Sequence, residues 1–215
     1  MRLGLTCEGG PPPAPVLDLL ERAGLPVGAL RTLAGPALVD AGEVTWLLAP
    51  GADVLEACVR GALDVGVAGK DLLLELAPQV HELLDLRVCR DALVYATPEP
   101  GAGALRRGRP RVATRYPRVT RRHFAAGGRQ VELIAFEAAA LAPGLGLADG
   151  VVELRSRLAL DDAGSAGGGR PAGLLVREDV AACSARLVAG RAARVLGGAR
   201  LGELLERLRA SAEER

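Results

Sequence analysis

The chain has few of the residues that bind metals or stack on nucleic-acid bases. Its 215 residues include two histidines, four cysteines and one tryptophan, and aromatic residues make up only 2%. The cysteines have no C-x-x-C spacing, and His81 and His123 are too few and too isolated to complete a zinc site. We therefore expect no metal site built from protein side chains, and reduced, mostly buried thiols in a cytoplasmic protein.

Long apolar runs and a strong net charge are also missing. No run reaches the ~20 residues of a membrane helix, and the N-terminus lacks the apolar stretch of a signal peptide. The net charge of +1 gives no overall field that would recruit nucleic acid or an anionic membrane. The basic run 106–122 contains a single aromatic residue, Tyr116, so a solvated face is favoured over a nucleic-acid site. We expect neither a nucleic-acid nor a membrane partner.

Lysine is the scarcest basic residue. Lys70 is the only lysine among 27 basic residues, and arginine is so common that one exposed arginine is weak evidence of function. Because the chain keeps a flexible ammonium at this one position, Lys70 is a candidate binding residue. An ordinary surface lysine is the alternative.

Short apolar runs alternate with amphipathic stretches along the chain. This pattern predicts an α/β fold with mostly parallel sheets. Strands are expected at 2–5, 45–48, 64–67, 80–84, 93–96, 112–113, 131–135, 150–154 and 186–188. Helices are expected at 13–23, 53–60 with Asp53 as N-cap, 70–76, 121–126, 138–141 and 201–208.

Two predicted crossings divide the chain into lobes joined by a hinge. Residues 1–89 and 176–215 are expected to form lobe I, and residues 90–175 lobe II. A cleft between two such lobes is a natural place for a ligand. Residues 99–109 are expected to form a loop that contains glycine and arginine. The glycine-rich stretch 164–173 lacks the side chains that pack and is expected to be mobile.

The run 111–123 predicts an anion site. It combines a short strand, a polar turn that ends at Pro117, and a helix entered through Thr120. Thr114, Arg115 and Arg118 then lie between a strand end and a helix start, where the helix dipole favours negative charge.

The literal sequence of this run resembles Arg-Val-Ala-Thr-Lys-Tyr-Pro-x-x-Thr-Arg-Arg of the ATP phosphoribosyltransferase family. Four further segments resemble that family in the same order. They are residues 61–75, which contain Gly-Lys-Asp-Leu-Leu-Leu-Glu, and residues 82–86, 141–149 and 184–188. The resemblance is to the short form of the family, which would imply that the C-terminal regulatory domain of the long form is absent.

The resemblance implies a two-lobed fold like that of periplasmic binding proteins (type II). It also implies a pentosyltransferase that condenses ATP with phosphoribosyl pyrophosphate to give phosphoribosyl-ATP and pyrophosphate, the first step of histidine biosynthesis. Mg²⁺ would accompany the substrates, and a regulatory subunit related to histidyl-tRNA synthetase would be the protein partner. No catalytic side chain is assigned. The substrate-binding residues implied by the resemblance and the turn chemistry are Arg31, Gly69, Lys70, Thr114, Arg115, Asp149, Glu153, Ser156 and Arg157.

The sequence departs from the family pattern in its binding loops. The family's Pro-Lys-Gly-Arg-Leu corresponds to residues 6–10, so that Cys7 and Gly9 replace two cations. Its Asp-x-Val-x-Thr-Gly-x-Thr-Leu corresponds to residues 153–161, where Leu158 and Leu160 replace phosphate-binding positions. These changes favour an alternative, a catalytically degenerate relative that acts as a binding or regulatory subunit. A small-molecule binding protein that uses only the cleft is a third hypothesis.

Overall fold

The computed structural model describes residues 1–98, 109–158, 173–191, 193 and 198–213. The chain forms two compact units. Unit 1 comprises Met1–Arg90 and Ser184–Arg215, and unit 2 comprises Asp91–Cys183. None of the helices in the described ranges combines the length and hydrophobicity that a membrane span requires.

Unit 1 is built on a six-stranded mixed sheet with the order β2-β3-β1-β4-β11-β5. Its central strands β1, β3 and β4 run parallel, while β2, β5 and β11 pair antiparallel with their neighbours. The strands are β1 (Arg2–Thr6), β2 (Ala37–Asp40), β3 (Thr45–Ala49), β4 (Val65–Gly69), β5 (Val80–Asp85) and β11 (Ala185–Gly190).

Helices cover both faces of this sheet. They are α1 (Ala14–Arg22), α2 (Gly51–Val59), α3 (Lys70–Leu76) and the C-terminal α5 (Gly198–Glu213). Leucines of α1 and α5 pack with Trp46 and the β1 side chains in the larger core. Val54, Leu55 and Cys58 of α2 form a second core on the other face, where Gly4 and Gly66 let the helix approach the sheet closely.

Unit 2 is built on a five-stranded mixed sheet with the order β10-β6-β9-β7-β8. The strands are β6 (Asp91–Pro98), β7 (Arg111–Thr114), β8 (Glu132–Ala135), β9 (Gly150–Leu154) and β10 (Leu174–Cys183). Strand β7 runs parallel to β8 and β9, while β6 is antiparallel to β9 and β10. Phe124 of α4 (Pro117–Ala126) packs with Val112 and Val152, and a second core lies around Val94 and Val151.

The α/β class and the position of most elements are confirmed, and α3 and β9 have the predicted bounds. Both sheets are mixed rather than mostly parallel, because β10 and β11 return antiparallel to their neighbours. Strands β2 and β10 were not predicted from the sequence. The helix predicted over 138–141 is a 3₁₀ helix, Ala139–Leu141.

Two predicted helix starts are wrong for the same reason. Helix α2 begins at Gly51 with Pro50 as N-cap, and α4 begins with Pro117 as its first residue. Proline fits the start of a helix because its φ is preset and an N–H there lacks an intrahelical acceptor. Asp53 and Thr120, the expected entry residues, therefore lie inside the first turns.

The second division between the units falls between Cys183 and Ser184. The sequence placed the return to lobe I near residue 176, but β10 pairs with β6 along its whole length, from Leu174 to Cys183. Of the predicted loop 99–109 and the stretch 164–173 predicted to be mobile, only Arg109 and Gly173 lie within the described residues.

Candidate functional site

The predicted anion site of unit 2 lies where parallel strands end. Because β7 and β9 are parallel and Thr114 is in register with Val152, Thr114, Glu153 and the residues that follow them share the carboxyl edge of the sheet. Helix α4 starts at this same edge, so the positive end of its dipole lies there. Most of the unit 2 residues predicted from the sequence meet at this edge.

Thr114 shapes the turn through its hydroxyl. The side chain is fully buried, and its hydroxyl donates to the Val152 carbonyl at 2.8 Å and accepts the Tyr116 amide at 2.9 Å. The Thr120 hydroxyl lies 3.2 Å from it and donates to the Tyr116 carbonyl at 2.7 Å. With its hydroxyl engaged inside the protein, Thr114 positions the turn rather than offering that hydroxyl to a ligand.

Arg115 follows this fixed turn. Its guanidinium Nε lies 3.0 Å from a carboxylate oxygen of Glu137, which comes just after β8. The Arg115 side chain is 19% exposed and that of Glu137 is 88% exposed, so the carboxylate can move into water more readily than the arginine. An anionic ligand at this edge would compete with an exposed carboxylate for a largely buried cation.

The turn after β9 is a short 3₁₀ helix, Arg155–Arg157. Arg155 pairs with Asp179 at 2.8 Å, and the Ser156 hydroxyl donates to Asp91 at 2.5 Å. The Ser156 amide donates to the Asp91 carboxylate at 3.4 Å, and the Leu158 amide donates to the Arg155 carbonyl at 3.1 Å. Several donors of this turn are therefore already used within unit 2.

The residues before and at the end of this turn differ in burial. Glu153, which is 2% exposed, accepts the Leu154 amide at 2.9 Å. Leu158 is 1% exposed and belongs to the core of unit 2, whereas Arg157 is exposed. The leucine that replaces a phosphate-binding position is thus a core residue, and Leu160 lies outside the described residues.

The structure does not bring Asp149 to the carboxyl edge. Asp149 precedes β9, and its amide donates a hydrogen bond to the carbonyl of Arg111 at the start of β7. The Asp149 carboxylate accepts hydrogen bonds from the Arg111 amide and from the Arg111 guanidinium. The Arg111 guanidinium also donates to the Gly146 carbonyl at 3.1 Å. Asp149 therefore ties together the amino ends of two strands.

Gly69 and Lys70 lie at the carboxyl edge of β4 in unit 1. Gly69 is the N-cap of α3, and a β-carbon there would collide with the Asp71 carboxylate. The Lys70 ammonium lies 2.5 Å from Glu82, and its amide donates to the Ser184 carbonyl at 3.0 Å.

Lys70 belongs to a network of charges on β5 and β11. Arg186 bridges the Glu82 and Asp85 carboxylates at 2.9 and 3.1 Å, and the Ser184 hydroxyl donates to Asp85 at 2.8 Å. Burial alone would raise the pKa of Asp85. Hydrogen bonds from a backbone amide and from Ser184, with the Arg186 charge, outweigh that effect and lower it. The network therefore fixes the surroundings of the only lysine.

The loop after β1 shows what replaces the family's cations. Cys7 is buried, and its pKa is raised by burial and then by the charge of Glu8. The Glu8 carboxylate accepts the Gly51 amide at 3.4 Å, at the start of α2. A carboxylate of the chain itself therefore lies where a helix end would attract an anion.

Arg31 lies in a 3₁₀ helix, Gly28–Thr32, against α1. Its guanidinium donates to Asp18 at 2.8 Å and to Glu21 at 2.6 Å. Arg31 would have to leave these carboxylates to bind a phosphate.

Several residues that contact the candidates were not predicted from the sequence: Glu8, Glu82, Asp91, Glu137 and Arg186. Each acts through a partner that is distant in sequence, so no local spacing indicates it. For Glu82 and Arg186 the contact follows from the pairing of β5 with β11, in which Val188 is opposite Glu82 and Arg186 is opposite Asp85.

Comparison with known proteins gives a consistent result. Residues 50–210 match the sequence model of a family described as ATP phosphoribosyltransferase, HisG. The ATP phosphoribosyltransferase of Symbiobacterium thermophilum is 36% identical over 208 residues, which cover 93% of this chain and 90% of that protein. This similarity confirms the resemblance inferred from the sequence.

Solved structures support the fold class. The ATP phosphoribosyl transferase (HisG:HisZ) complex from Thermotoga maritima contains a chain that matches with a TM-score of 0.75 at 20% identity, covering 100% of both chains. The periplasmic aliphatic sulphonate binding protein SsuA of Escherichia coli matches with a TM-score of 0.58 at 14% identity, over 99% of this chain and 68% of that one. The predicted likeness to periplasmic binding proteins is confirmed at the level of the fold.

Proposed function

The chain belongs to the ATP phosphoribosyltransferase family, and we propose that it condenses ATP with phosphoribosyl pyrophosphate in the first step of histidine biosynthesis. The observation that carries this proposal is the 36% identity to a curated ATP phosphoribosyltransferase over 93% of the chain. Residues 50–210, which match the family, include the carboxyl-edge turns of both units except the loop after β1. The products are phosphoribosyl-ATP and pyrophosphate.

The chemistry requires alignment of two polyanions. N1 of ATP attacks C1 of the ribose, the bond from C1 to the pyrophosphate oxygen breaks, and positive charge develops on the sugar. The protein contributes by holding both reactants in place and by stabilising the negative charge of the departing pyrophosphate.

We assign one substrate to the carboxyl edge of the sheet in each unit. The unit 2 edge, with Arg115, Ser156, Arg157 and the start of α4, binds phosphoribosyl pyrophosphate. Glu153 is the candidate carboxylate for its ribose hydroxyls. Thr114 positions this edge through its buried hydroxyl. The unit 1 edge binds ATP near Gly69 and Lys70.

We also propose that Mg²⁺ accompanies the substrates. Within the described residues, no group of three histidine, cysteine or acidic side chains could enclose a metal ion. Mg²⁺ commonly binds substrate phosphates together with few protein ligands, so the phosphate oxygens would hold it here. It would neutralise charge on the pyrophosphate.

A hetero-oligomer is part of the proposal. A solved structure similar to this chain is a HisG:HisZ complex, and we propose an analogous regulatory subunit related to histidyl-tRNA synthetase. Co-purification of the two subunits at a fixed ratio would support this. The predicted cytoplasmic location stays a prediction.

One observation favours the degenerate relative as a second candidate. The turn 155–158 uses two of its amides and two of its side chains in contacts within unit 2, and its leucine is in the core. A 5′-phosphate cradle needs small residues and available amides. A subunit that keeps the fold but binds this phosphate weakly would have such a turn.

Calorimetric titration with phosphoribosyl pyrophosphate and Mg²⁺ tests the assignment of the unit 2 edge. We expect a dissociation constant between roughly 1 μM and 1 mM, the usual range of substrate affinities. Arg115→Ala should weaken binding about tenfold, since a charge-assisted contact is lost, while Arg122→Ala, an exposed change on α4, should not. Absence of binding by the folded chain with its partner would favour the second candidate.

A further inference from the structure

A groove in unit 2 lies away from the carboxyl edge. It runs beside the second half of α4 and the turn that leads to β8, and its volume is about 360 Å³. Arg109 and Val131, which precede β7 and β8, line it, so it lies towards the amino ends of these strands. Thr114 and Arg115 are at the opposite ends. The groove is therefore separate from the site assigned to phosphoribosyl pyrophosphate.

Three arginines line this groove. Arg109 precedes β7, Arg121 projects from α4, and Arg129 follows the helix. All three are exposed, and none of the described residues that line the groove is acidic. Because arginines of three separate segments converge on one concave surface, the groove favours an anion with several oxygens.

Arg129 is held in place before any ligand arrives. Its Nη1 and Nη2 atoms donate to the two carboxylate oxygens of Glu178 at 2.5 and 2.6 Å. The guanidinium also stacks over the Phe124 ring at 4.6 Å from the ring centre. An arginine fixed in this way loses little conformational freedom on binding. Glu178 neutralises one positive charge and leaves a surplus from Arg109 and Arg121.

Part of the lining of the groove is apolar. Ala125, Val131 and Leu133 contribute to it, as does Phe124, whose ring is buried under the Arg129 guanidinium. An inorganic anion would leave this surface uncovered, whereas a flat organic ring would cover it and could stack beside the Arg129 guanidinium. A volume of about 360 Å³ is close to the lower limit for small-molecule pockets, ~300 Å³.

We propose that this groove is a second ligand site of unit 2 and that it binds a phosphate monoester attached to a planar ring, the chemistry of a nucleoside monophosphate. The phosphate contacts Arg109 and Arg121, and the ring lies against the apolar lining residues beside Arg129. The proposal does not depend on the transferase reaction, since it uses different residues at the other end of the sheet.

Titration of the full chain with uridine 5′-monophosphate tests this site, because a pyrimidine nucleotide is neither of the substrates assigned to the carboxyl edges. We expect saturable binding that weakens at high salt. Arg121→Ala should weaken it about tenfold, the effect of losing one charge-assisted contact. Arg122→Ala is the matched control, since it removes a neighbouring exposed arginine that does not line the groove, and it should change affinity less than twofold.

Several results would overturn the proposal. Absence of uridine monophosphate binding by folded protein would do so, as would binding that Arg121→Ala and Arg109→Ala leave unchanged. Equal affinity for inorganic phosphate would remove the role of the ring. Loss of binding in Arg115→Ala would place the nucleotide at the carboxyl edge, and tighter, Arg121-dependent binding of a single-stranded oligonucleotide would replace the small ligand by a polymer.

Discussion

The ammonium of Lys70, the only lysine of the chain, lies 2.5 Å from the carboxylate of Glu82 on β5. The same carboxylate accepts a hydrogen bond from Arg186. Glu82 therefore holds two cations at the carboxyl edge of β4, where the proposed ATP site lies.

Replacement of Lys70 tests its assignment. Lys70→Ala should weaken ATP binding about tenfold, since one charge-assisted contact is lost. The free energy of unfolding should change by less than about 1 kcal/mol, because Glu82 keeps Arg186 as a partner and such ion pairs contribute little. Calorimetry and urea denaturation measure the two effects. Arg60→Ala, which removes an exposed ion pair with Glu56 on α2, is the control, and equal ATP affinity in both variants would exclude Lys70 from the site.

The Thr114 hydroxyl should matter for both stability and binding. Thr114→Val keeps the shape of the side chain but leaves the Tyr116 amide without its acceptor, which should cost about 1–3 kcal/mol. It should also weaken binding of phosphoribosyl pyrophosphate, since the turn that carries Arg115 loses its anchor. Thr114→Ser keeps the hydroxyl and should retain the affinity. A serine variant as impaired as the valine variant would show that the methyl group, not the hydrogen bonds, matters.

Replacement by alanine should change the free energy of unfolding in opposite directions at two glycines. A β-carbon at Gly190 would lie 2.9 Å from the Cys58 carbonyl carbon of α2 and closer to its oxygen, so Gly190→Ala should destabilise unit 1 by about 3 kcal/mol or more. Gly202 lies in α5 with open space around it, and Gly202→Ala should stabilise by about 0.5–1 kcal/mol. Thermal unfolding distinguishes them, and a tolerated Gly190→Ala would mean that α2 does not approach β11 as described.

Glu178 should make stability depend on pH. Its hydrogen bonds with Arg129 lower its pKa from 4.5 to about 2, with burial opposing and His123 assisting. A carboxylate whose pKa is lower in the folded protein than in the unfolded chain stabilises the folded protein at pH values above the unfolded-state pKa. This stabilisation disappears as the pH falls from 4.5 towards 2. Glu178→Gln should therefore be less stable than the natural chain at pH 7, and the difference should shrink below pH 4.5. A difference that stays constant from pH 7 to pH 3 would contradict this origin.

The sequence predicted what depends on local chemistry. Gly69 and Lys70 occupy the predicted strand end and helix start, and Thr114 and Arg115 lie in the predicted turn, because apolar periodicity and turn residues act over a few positions. The partners Glu82, Asp91 and Glu137 could not be predicted in the same way, since their contacts depend on strand order and register. Asp149 shows this limit as well. The predicted bounds of β9 place it at the amino end of that strand, but its partner Arg111 depends on the parallel pairing of β7 and β9.

This chain is a member of the ATP phosphoribosyltransferase family, for which we propose the corresponding activity. The most direct test is pyrophosphate release from ATP and phosphoribosyl pyrophosphate, with Mg²⁺ and the regulatory subunit present, alongside detection of phosphoribosyl-ATP. We predict that both products form in equal amounts and that Arg115→Ala slows their formation at least about tenfold. No turnover by the folded, partnered chain would contradict the claim and favour a relative that keeps the fold without the chemistry.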